Sequence, residues 1–243
     1  MLRVALALVG AVVFAAVAVA ATGMRAPAVA QDAPVVQTPF ATADPAASAR
    51  VEPEIDRGRL AVGDREGRSV TVVRGLRLPI DGVALPSDVE LLPNAPRTFR
   101  AGWHEGIDFP APTGTPVHAV AAGVIVRIDR DYSEWDRESE NTALDEATSL
   151  GYTPASTLDR IRGRQVWIDH GHGVVTRYAH LSAVVDLELD SFIDAGTVVG
   201  FVGSSGYPEG GPHLHLEVRI GTSYLGDRLE GDVLLAAITA AFD

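Results

Sequence analysis

The sequence predicts a mainly β fold, an antiparallel sheet or sandwich that carries a helical insertion and a short C-terminal helix. Three observations predict it: strict polar/apolar alternation over residues 213–220, further β-like runs bounded by glycine-containing turns, and one acidic segment of helical composition. Alternation with a period of two fits a half-buried strand and does not fit an amphipathic helix. We therefore expect the sheet to dominate the architecture.

The β elements are expected in the following order along the chain. A first β-like run covers residues 70–78, and a turn-rich stretch over 79–96 leads to a motif around His104. Residues 117–128 predict two short strands around Gly123. Later strands are predicted over 165–168, 174–181, 197–202 and 213–220.

Residues 129–164 form a long excursion between two of these strands. Within it, 133–150 is acidic and compatible with a helix, and Thr153–Pro154 suits the N-cap and first turn of a second helix over 154–161. This pattern predicts a helical hairpin, which is either a solvated surface excursion or the wall or lid of a groove. Residues 232–242 predict the C-terminal helix.

The N-terminal residues predict export from the cytoplasm. Residues 4–21 are uncharged, and Ala28-Val29-Ala30-Gln31 has the small-x-small pattern that suits signal peptidase, so 1–30 is interpreted as a signal peptide. Since 4–21 is also just long enough to span a bilayer, an uncleaved membrane anchor is the alternative. Residues 31–51 are rich in Ala, Pro, Asp and Gln and suit a flexible linker, which leaves 52–243 as one extracytoplasmic domain.

Composition excludes several classes of function. The chain has no cysteine, so neither a disulfide nor a thiolate nucleophile or ligand is available. Its formal net charge of −12 disfavours nucleic acid and anionic membrane surfaces as partners. We expect a monomer that is secreted, periplasmic or anchored to the cell envelope.

Two motifs have the residue types and spacing of a metal site. On an extended strand His213 and His215 project to the same side, roughly 7 Å apart along the backbone. A catalytic zinc takes three protein ligands and keeps a fourth position for water, so a further ligand must come from elsewhere. His104 and Asp108 are its best source, because Gly106 between them disfavours a helix and the extended backbone turns both to one side. Either motif alone is also compatible with polar residues on a solvated face.

A third element ends on a histidine and completes a recognisable set. Tyr178-Ala179-His180-Leu181 closes a β-like run, and His180 offers a base or oxyanion partner that is not a ligand. Taken in order, His104-x-x-x-Asp108, this element and Gly211-Pro212-His213-Leu214-His215-Leu216-Glu217 resemble the lysostaphin/LytM-type zinc endopeptidases that cut peptide cross-links in bacterial peptidoglycan. The resemblance covers roughly residues 76–221.

The resemblance implies a LytM fold, built from the duplicated hybrid motif, and a role for each residue. His104, Asp108 and His215 would hold one Zn²⁺, while His180 and His213 would be the unligated pair that orients water and stabilises the oxyanion. Strand geometry alone leaves open which of His213 and His215 binds the metal. The segment 129–164 departs from the short family core.

The other polar residues near these motifs receive different interpretations. His118 is expected to be a hydrogen-bonded structural histidine, and His170 and His172 are expected to belong to a hairpin turn. Glu217 lies on the face of His213 and His215. It is interpreted either as a partner that holds an imidazole tautomer or as a surface partner of Arg219.

These expectations combine into one function and two alternatives. The sequence predicts an exported zinc metalloendopeptidase that hydrolyses peptide bonds in peptidoglycan stem peptides or cross-bridges. The first alternative is a non-enzymatic LytM-domain activator of another wall hydrolase. The second, a phosphocarrier-like domain using a strand histidine, is disfavoured by export and by the complete ligand set.

Overall fold

The computed structural model describes residues 55–56 and 72–242. The signal peptide or anchor predicted over 1–30 and the linker predicted over 31–51 lie outside the described residues. So does most of 52–71. No helix among the described residues is both long and apolar enough to cross a membrane.

The described residues form a mainly antiparallel β fold with three α-helices, which confirms the predicted fold class. The helices are α1 (Arg137–Leu150), α2 (Ala155–Arg162) and α3 (Gly231–Ala241). The strands are β1 (Ile55–Asp56), β2 (Val72–Val73), β3 (Pro96–Arg97), β4 (Gly102–Trp103), β5 (Ile107–Pro110), β6 (Pro116–His118), β7 (Gly123–Asp129), β8 (Gln165–Asp169), β9 (Val174–Ala179), β10 (Ala183–Val184), β11 (Phe192–Ile193), β12 (Val198–Phe201), β13 (His213–Ile220) and β14 (Ser223–Tyr224).

The largest sheet has the strand order β11-β7-β8-β9-β13-β14, and β5 also pairs with β13. All of its strand pairs are antiparallel. A smaller sheet has the order β10-β12-β6. Strand β13 lies between β9 and β5, because His215 pairs with Ala179 on one side and with Asp108 on the other. This strand therefore lies at the centre of the predicted site.

The core is made of apolar side chains from the strands and the C-terminal helix. Phe109, Tyr178 and Leu214 are fully buried, and Ile238 of α3 joins them at 2 % exposure. The predicted strand β13 is confirmed with its bounds, and its Leu214, Leu216 and Val218 are buried. Burial of this stripe against the core fixes the register of the strand. Strand β13 is not half-buried as predicted, because its polar face is covered too and His213, His215 and Glu217 are also buried.

The first predicted strand is largely wrong. Of residues 70–78, only Val72–Val73 form a strand, while 70–71 lie outside the described residues. Gly75 adopts a positive φ of 76°, which ends the extended conformation. The Leu76 N–H then donates to the carbonyl of Ala241 at the end of α3, and not to a neighbouring strand.

The predicted helical hairpin is present, with shifted starts. Helix α1 begins at Arg137 because Asp136 caps it, accepting a hydrogen bond from Ser139 N at 2.8 Å. The predicted N-cap of the second helix is wrong: Pro154 occupies that position, and no side chain caps the helix. Thr153 donates its hydroxyl to the Arg100 carbonyl instead.

Candidate metal centre

Three side chains meet at one point on the floor of a groove. His104 Nε2 lies 3.0 Å from Asp108 Oδ1 and 3.0 Å from His215 Nδ1, and the last two atoms are 2.8 Å apart. All three residues are buried. Among the described residues they form a group that could hold a metal ion.

Sheet register places two of these residues opposite each other. Asp108 on β5 is the direct partner of His215 on β13, so the carboxylate and the imidazole project from neighbouring strands onto the same face. Gly106 permits this approach, since a Cβ there would lie 2.6 Å from the Leu216 carbonyl oxygen and 2.9 Å from His215 Cε1. Any side chain at Gly106 would displace the His215 ring.

The outer nitrogens of both rings are committed to other acceptors. His104 Nδ1 lies 2.8 Å from the Leu92 carbonyl, which can only accept, so Nδ1 carries the proton and Nε2 presents a lone pair. His215 Nε2 lies 3.4 Å from Glu217 Oε1, which favours the tautomer with a lone pair on Nδ1. With the carboxylate of Asp108, three electron-rich atoms then face one point.

The pKa values of these groups follow from burial and from their mutual contacts. Burial raises the pKa of Asp108, but the charges and hydrogen bonds of His104 and His215 outweigh it and hold that pKa well below its usual range. Burial lowers the pKa of His104. Burial also opposes the charged form of His215, yet its hydrogen bonds to Asp108 and Glu217 raise its pKa to about 9. Without a metal, a proton on His215 therefore occupies the point where the three atoms meet.

This donor set fits zinc. Two imidazoles and one carboxylate are typical ligands of a catalytic zinc, whose fourth position stays open. The three donor atoms lie 2.8–3.0 Å apart and face one point, so that one ion could contact all three. A cation would remove the repulsion among the three lone pairs.

His180 and His213 lie beside this group. Their ring centroids are 4.7 Å apart, and His180 is 5.6 Å from the His215 ring. The His180 Nδ1–H donates to the Ser205 carbonyl at 2.9 Å, and the His213 Nδ1–H donates to the Gly211 carbonyl at 2.9 Å. Burial, with the nearby His213 and His215, lowers the pKa of His180 well below its usual value. The neutral His180 ring thus presents its Nε2 lone pair to the groove.

Glu217 is a buried partner of the site, and its interpretation as a surface residue is wrong. The residue is fully buried, with Oε1 accepting from Arg162 Nε at 2.6 Å and Oε2 from Arg177 Nη1 at 3.2 Å. Arg219 Nη1 is farther, 3.6 Å from Oε2. Burial raises the pKa of Glu217, but Arg162 and the hydrogen bond to His215 hold it well below its ordinary value. Loss of one member of such a buried pair costs about 3–5 kcal/mol.

All five predicted site residues line one cavity of about 370 Å³. Phe99 and Tyr207 also line it, stacked with their ring centroids 5.1 Å apart. Leu158 and Ile161 of α2 form part of its wall. The alternative that 129–164 is only a surface excursion is therefore wrong for α2.

Several residues that line this cavity are not among the predicted site residues. Arg97 lines it and places Nη2 3.3 Å from Asp108 Oδ2. Tyr207 lies just before the His213 motif, and Arg97 and Phe99 lie just before His104, so nearness in sequence was the available signal. Nothing in the sequence connects Arg162 with Glu217.

The remaining histidines lie outside the cavity. His118 Nδ1 donates to the Gly196 carbonyl at 2.9 Å, as expected of a structural histidine. His170 is buried between the Ala122 carbonyl at 2.8 Å and Thr176 Oγ1 at 2.7 Å. His172 lies in the β8–β9 turn, as expected, at the opposite end of β9 from His180, and does not line the cavity.

Comparison with known proteins gives a family and several relatives. Residues 102–226 match the model of peptidase family M23. The DD-carboxypeptidase/endopeptidase Mpg of Neisseria meningitidis serogroup B is 41% identical over 117 residues, which are 48% of this chain and 20% of that protein. The peptidoglycan DD-endopeptidase ShyC of Vibrio cholerae is 26% identical over 157 residues, 65% of this chain and 29% of that protein. The chain thus spans a fifth to under a third of these relatives' length.

Solved structures with similarity include two catalytic domains. That of the prophage-encoded M23 protein EnpA from Enterococcus faecalis is 23% identical, with a TM-score of 0.42, covering 62% of this chain and 92% of that one. That of lysostaphin from Staphylococcus simulans is 24% identical, with a TM-score of 0.33, covering 61% and 77%. Because the family's model matches residues 102–226 of the 243, and so includes the whole of the three-residue centre, the chain belongs to peptidase family M23.

Proposed function

We propose that this protein is a zinc-dependent endopeptidase that hydrolyses peptide bonds in peptidoglycan stem peptides or cross-bridges. The observation that carries the proposal is the convergence of His104 Nε2, Asp108 Oδ1 and His215 Nδ1 within 3.0 Å of one another on a cavity floor. The names of Mpg, a DD-carboxypeptidase/endopeptidase, and ShyC, a peptidoglycan DD-endopeptidase, support the substrate class.

His104, Asp108 and His215 are proposed as the ligands of a single zinc ion. A zinc ion held there supplies a Lewis acid that brings the pKa of water toward neutrality and polarises a carbonyl oxygen. Arg97 bonds to Asp108 Oδ2 while Oδ1 faces the two histidines, so the carboxylate is held for binding through one oxygen.

His180 is proposed as the group that accepts a proton from water. Its Nδ1–H is fixed on the Ser205 carbonyl, its pKa lies well below the usual value, and its Nε2 is therefore a neutral acceptor at physiological pH. The His213 Nδ1–H is fixed on the Gly211 carbonyl, and its Nε2 lies 3.8 Å from Asp108 Oδ1. Once protonated, either ring can donate to the oxyanion or to the leaving amine.

The cavity wall supports a peptide as the substrate. The stacked Phe99 and Tyr207 and the apolar Leu158 and Ile161 offer surfaces for short aliphatic side chains. A groove that is partly open to solvent can admit an extended chain, whereas a closed cavity of this size would not.

Export, domain organisation and assembly are proposed from the sequence. Peptidoglycan lies outside the cytoplasm, which agrees with a signal peptide or anchor over 1–30, a linker over 31–51 and a peptidase domain over 52–243. We propose a monomer that reaches the membrane only through an uncleaved N-terminal segment.

The decisive experiment separates an enzyme from an activator of another hydrolase. Purified protein with zinc is incubated with purified peptidoglycan, and new amine termini are quantified. If the protein is an enzyme, it releases amines without any other hydrolase, and the His215→Ala variant does not. The His118→Ala variant is the matched control, because His118 lies outside the cavity. No release by the wild-type protein alone, with stimulation of a second hydrolase, would favour the activator.

A further inference from the structure

The C-terminal end of helix α2 contacts the residues that hydrogen-bond to two of the site histidines. The Arg162 side chain is 7% exposed and donates from Nε to Glu217 Oε1 at 2.6 Å, and the same oxygen lies 3.4 Å from His215 Nε2. Arg162 is thus linked to a candidate zinc ligand through one buried carboxylate.

The main chain of the same segment holds His180. The His180 N–H donates to the Arg162 carbonyl at 2.8 Å. Next in sequence, Gly163 packs so closely on Ser205 that a Cβ there would lie 2.3 Å from the Ser205 carbonyl oxygen, which accepts the His180 Nδ1–H. The Ser205 hydroxyl also links the two segments, since its Oγ accepts from Arg164 N at 2.9 Å and donates to the Leu181 carbonyl at 2.8 Å.

The orientation of the Glu217 carboxylate depends on Arg162. Glu217 is fully buried, and its two oxygens have different partners: Arg162 on Oε1, and Arg177 with the more distant Arg219 on Oε2. Removal of Arg162 leaves Oε1 without its close cation, so the carboxylate is free to turn away from the His215 ring. The orientation of that ring would then be less well fixed.

We propose that Arg162 is a positioning residue for both halves of the site, contributed by the helical segment 129–164. Its guanidinium sets the orientation of His215 through Glu217, and its carbonyl, with Ser205, sets the orientation of His180. The inference rests on the proposed function, in which His215 binds zinc and His180 moves a proton. It makes the segment part of the machinery of the site, beyond its place in the groove wall.

The guanidinium is tested by measuring zinc affinity, with a chromogenic chelator as competitor. Arg162→Gln is expected to weaken zinc binding about 10–100-fold, and Arg162→Lys is expected to lie between Gln and wild type, because it restores the charge without the fork of donors. Arg160→Gln is the matched control on the same helix, since Arg160 lies over the Trp135 ring at 4.9 Å. Thermal unfolding of the metal-free proteins checks that each variant is folded.

The His180 arm is tested with Ser205→Ala, which removes both hydroxyl hydrogen bonds and keeps the backbone. Zinc affinity and KM are expected to stay at the wild-type values while kcat falls, and the His180 Nδ1–H proton is expected to shift in NMR spectra of the metal-free protein. Wild-type zinc affinity in folded Arg162→Gln, or an unchanged His180 signal and kcat in Ser205→Ala, would overturn the corresponding arm. Failure of the proposed function looks different, because the wild-type protein itself would then bind no zinc or release no amines.

Discussion

Asp108 and His215 face each other across strands β5 and β13, with Asp108 Oδ1 2.8 Å from His215 Nδ1. Because antiparallel register fixes this pair, the candidate metal centre is set by the same hydrogen bonds that build the sheet. His104 comes from the loop before β5, and its ring is aimed by the Leu92 carbonyl. Of the three residues, His104 alone is therefore positioned by a loop and not by the register of the sheet.

Loss of any one ligand should remove the metal. His104→Ala, Asp108→Ala and His215→Ala are each expected to lose most bound zinc and all hydrolysis, since two protein ligands hold zinc far more weakly than three. Elemental analysis of purified proteins measures the zinc, with His118→Ala as the control that keeps it. The fold should survive in part, because the apolar strands are buried without the metal. Full zinc occupancy in His215→Ala would refute the assignment.

Loss of either unligated histidine should separate chemistry from binding. His180→Ala and His213→Ala are expected to keep zinc and to lose turnover by about a hundredfold or more, because each Nε2 then no longer transfers a proton or stabilises the oxyanion. The control is His172→Asn, because asparagine tolerates the positive φ of 51° at that turn. Equal kcat in the variants and the wild type would reject both roles.

Zinc affinity should rise with pH. In the metal-free protein the pKa of His215 is raised to about 9, above the usual value, so its proton is bound at neutral pH and is lost as the pH passes through about 9. Zinc needs the neutral ring, so binding must displace that proton. Calorimetry in buffers of different ionisation enthalpy should show about one proton released near pH 7, and affinity should grow up to about pH 9. Zinc binding without proton release would contradict this account.

Helix α2 should influence which peptides are cut. Leu158→Asn changes the cavity wall without touching the ligands, so zinc content should stay intact while rates across a panel of muropeptides differing in cross-bridge and amidation change relative to one another. Ser156→Ala, on the same helix but outside the cavity, is the control. If the two variants gave the wild-type profile across the whole panel, the helix would have no part in selection.

The local patterns of the sequence predicted the elements that carry the site. Alternation in 213–220 gave the bounds of β13, and the pattern of 174–181 gave β9 except for its end, where His180 takes a positive φ of 61°. The 70–78 strand failed because Gly75 turns the chain and the end of α3 takes the backbone hydrogen bond. A tertiary contact of this kind has no signal in the local pattern.

Long-range polar contacts were the second feature that could not be predicted from the sequence. Two alternative partners stayed open for Glu217 in the sequence prediction, because strand alternation gives the face on which a residue lies but not what packs against that face. The fold buries it and brings Arg162 to it from 55 positions away along the chain. The pairing of Arg97 with Asp108 likewise depends on where strand β3, which carries Arg97, lies relative to β5.

The most direct test of the central claim is a zinc titration of the metal-free protein in which bound zinc and amine release from purified peptidoglycan are measured on the same samples. We predict no release without metal, and release that rises in proportion to bound zinc and levels off at one ion for each chain. Full release from the metal-free protein, or a site filled with zinc that releases no amines, would contradict the account.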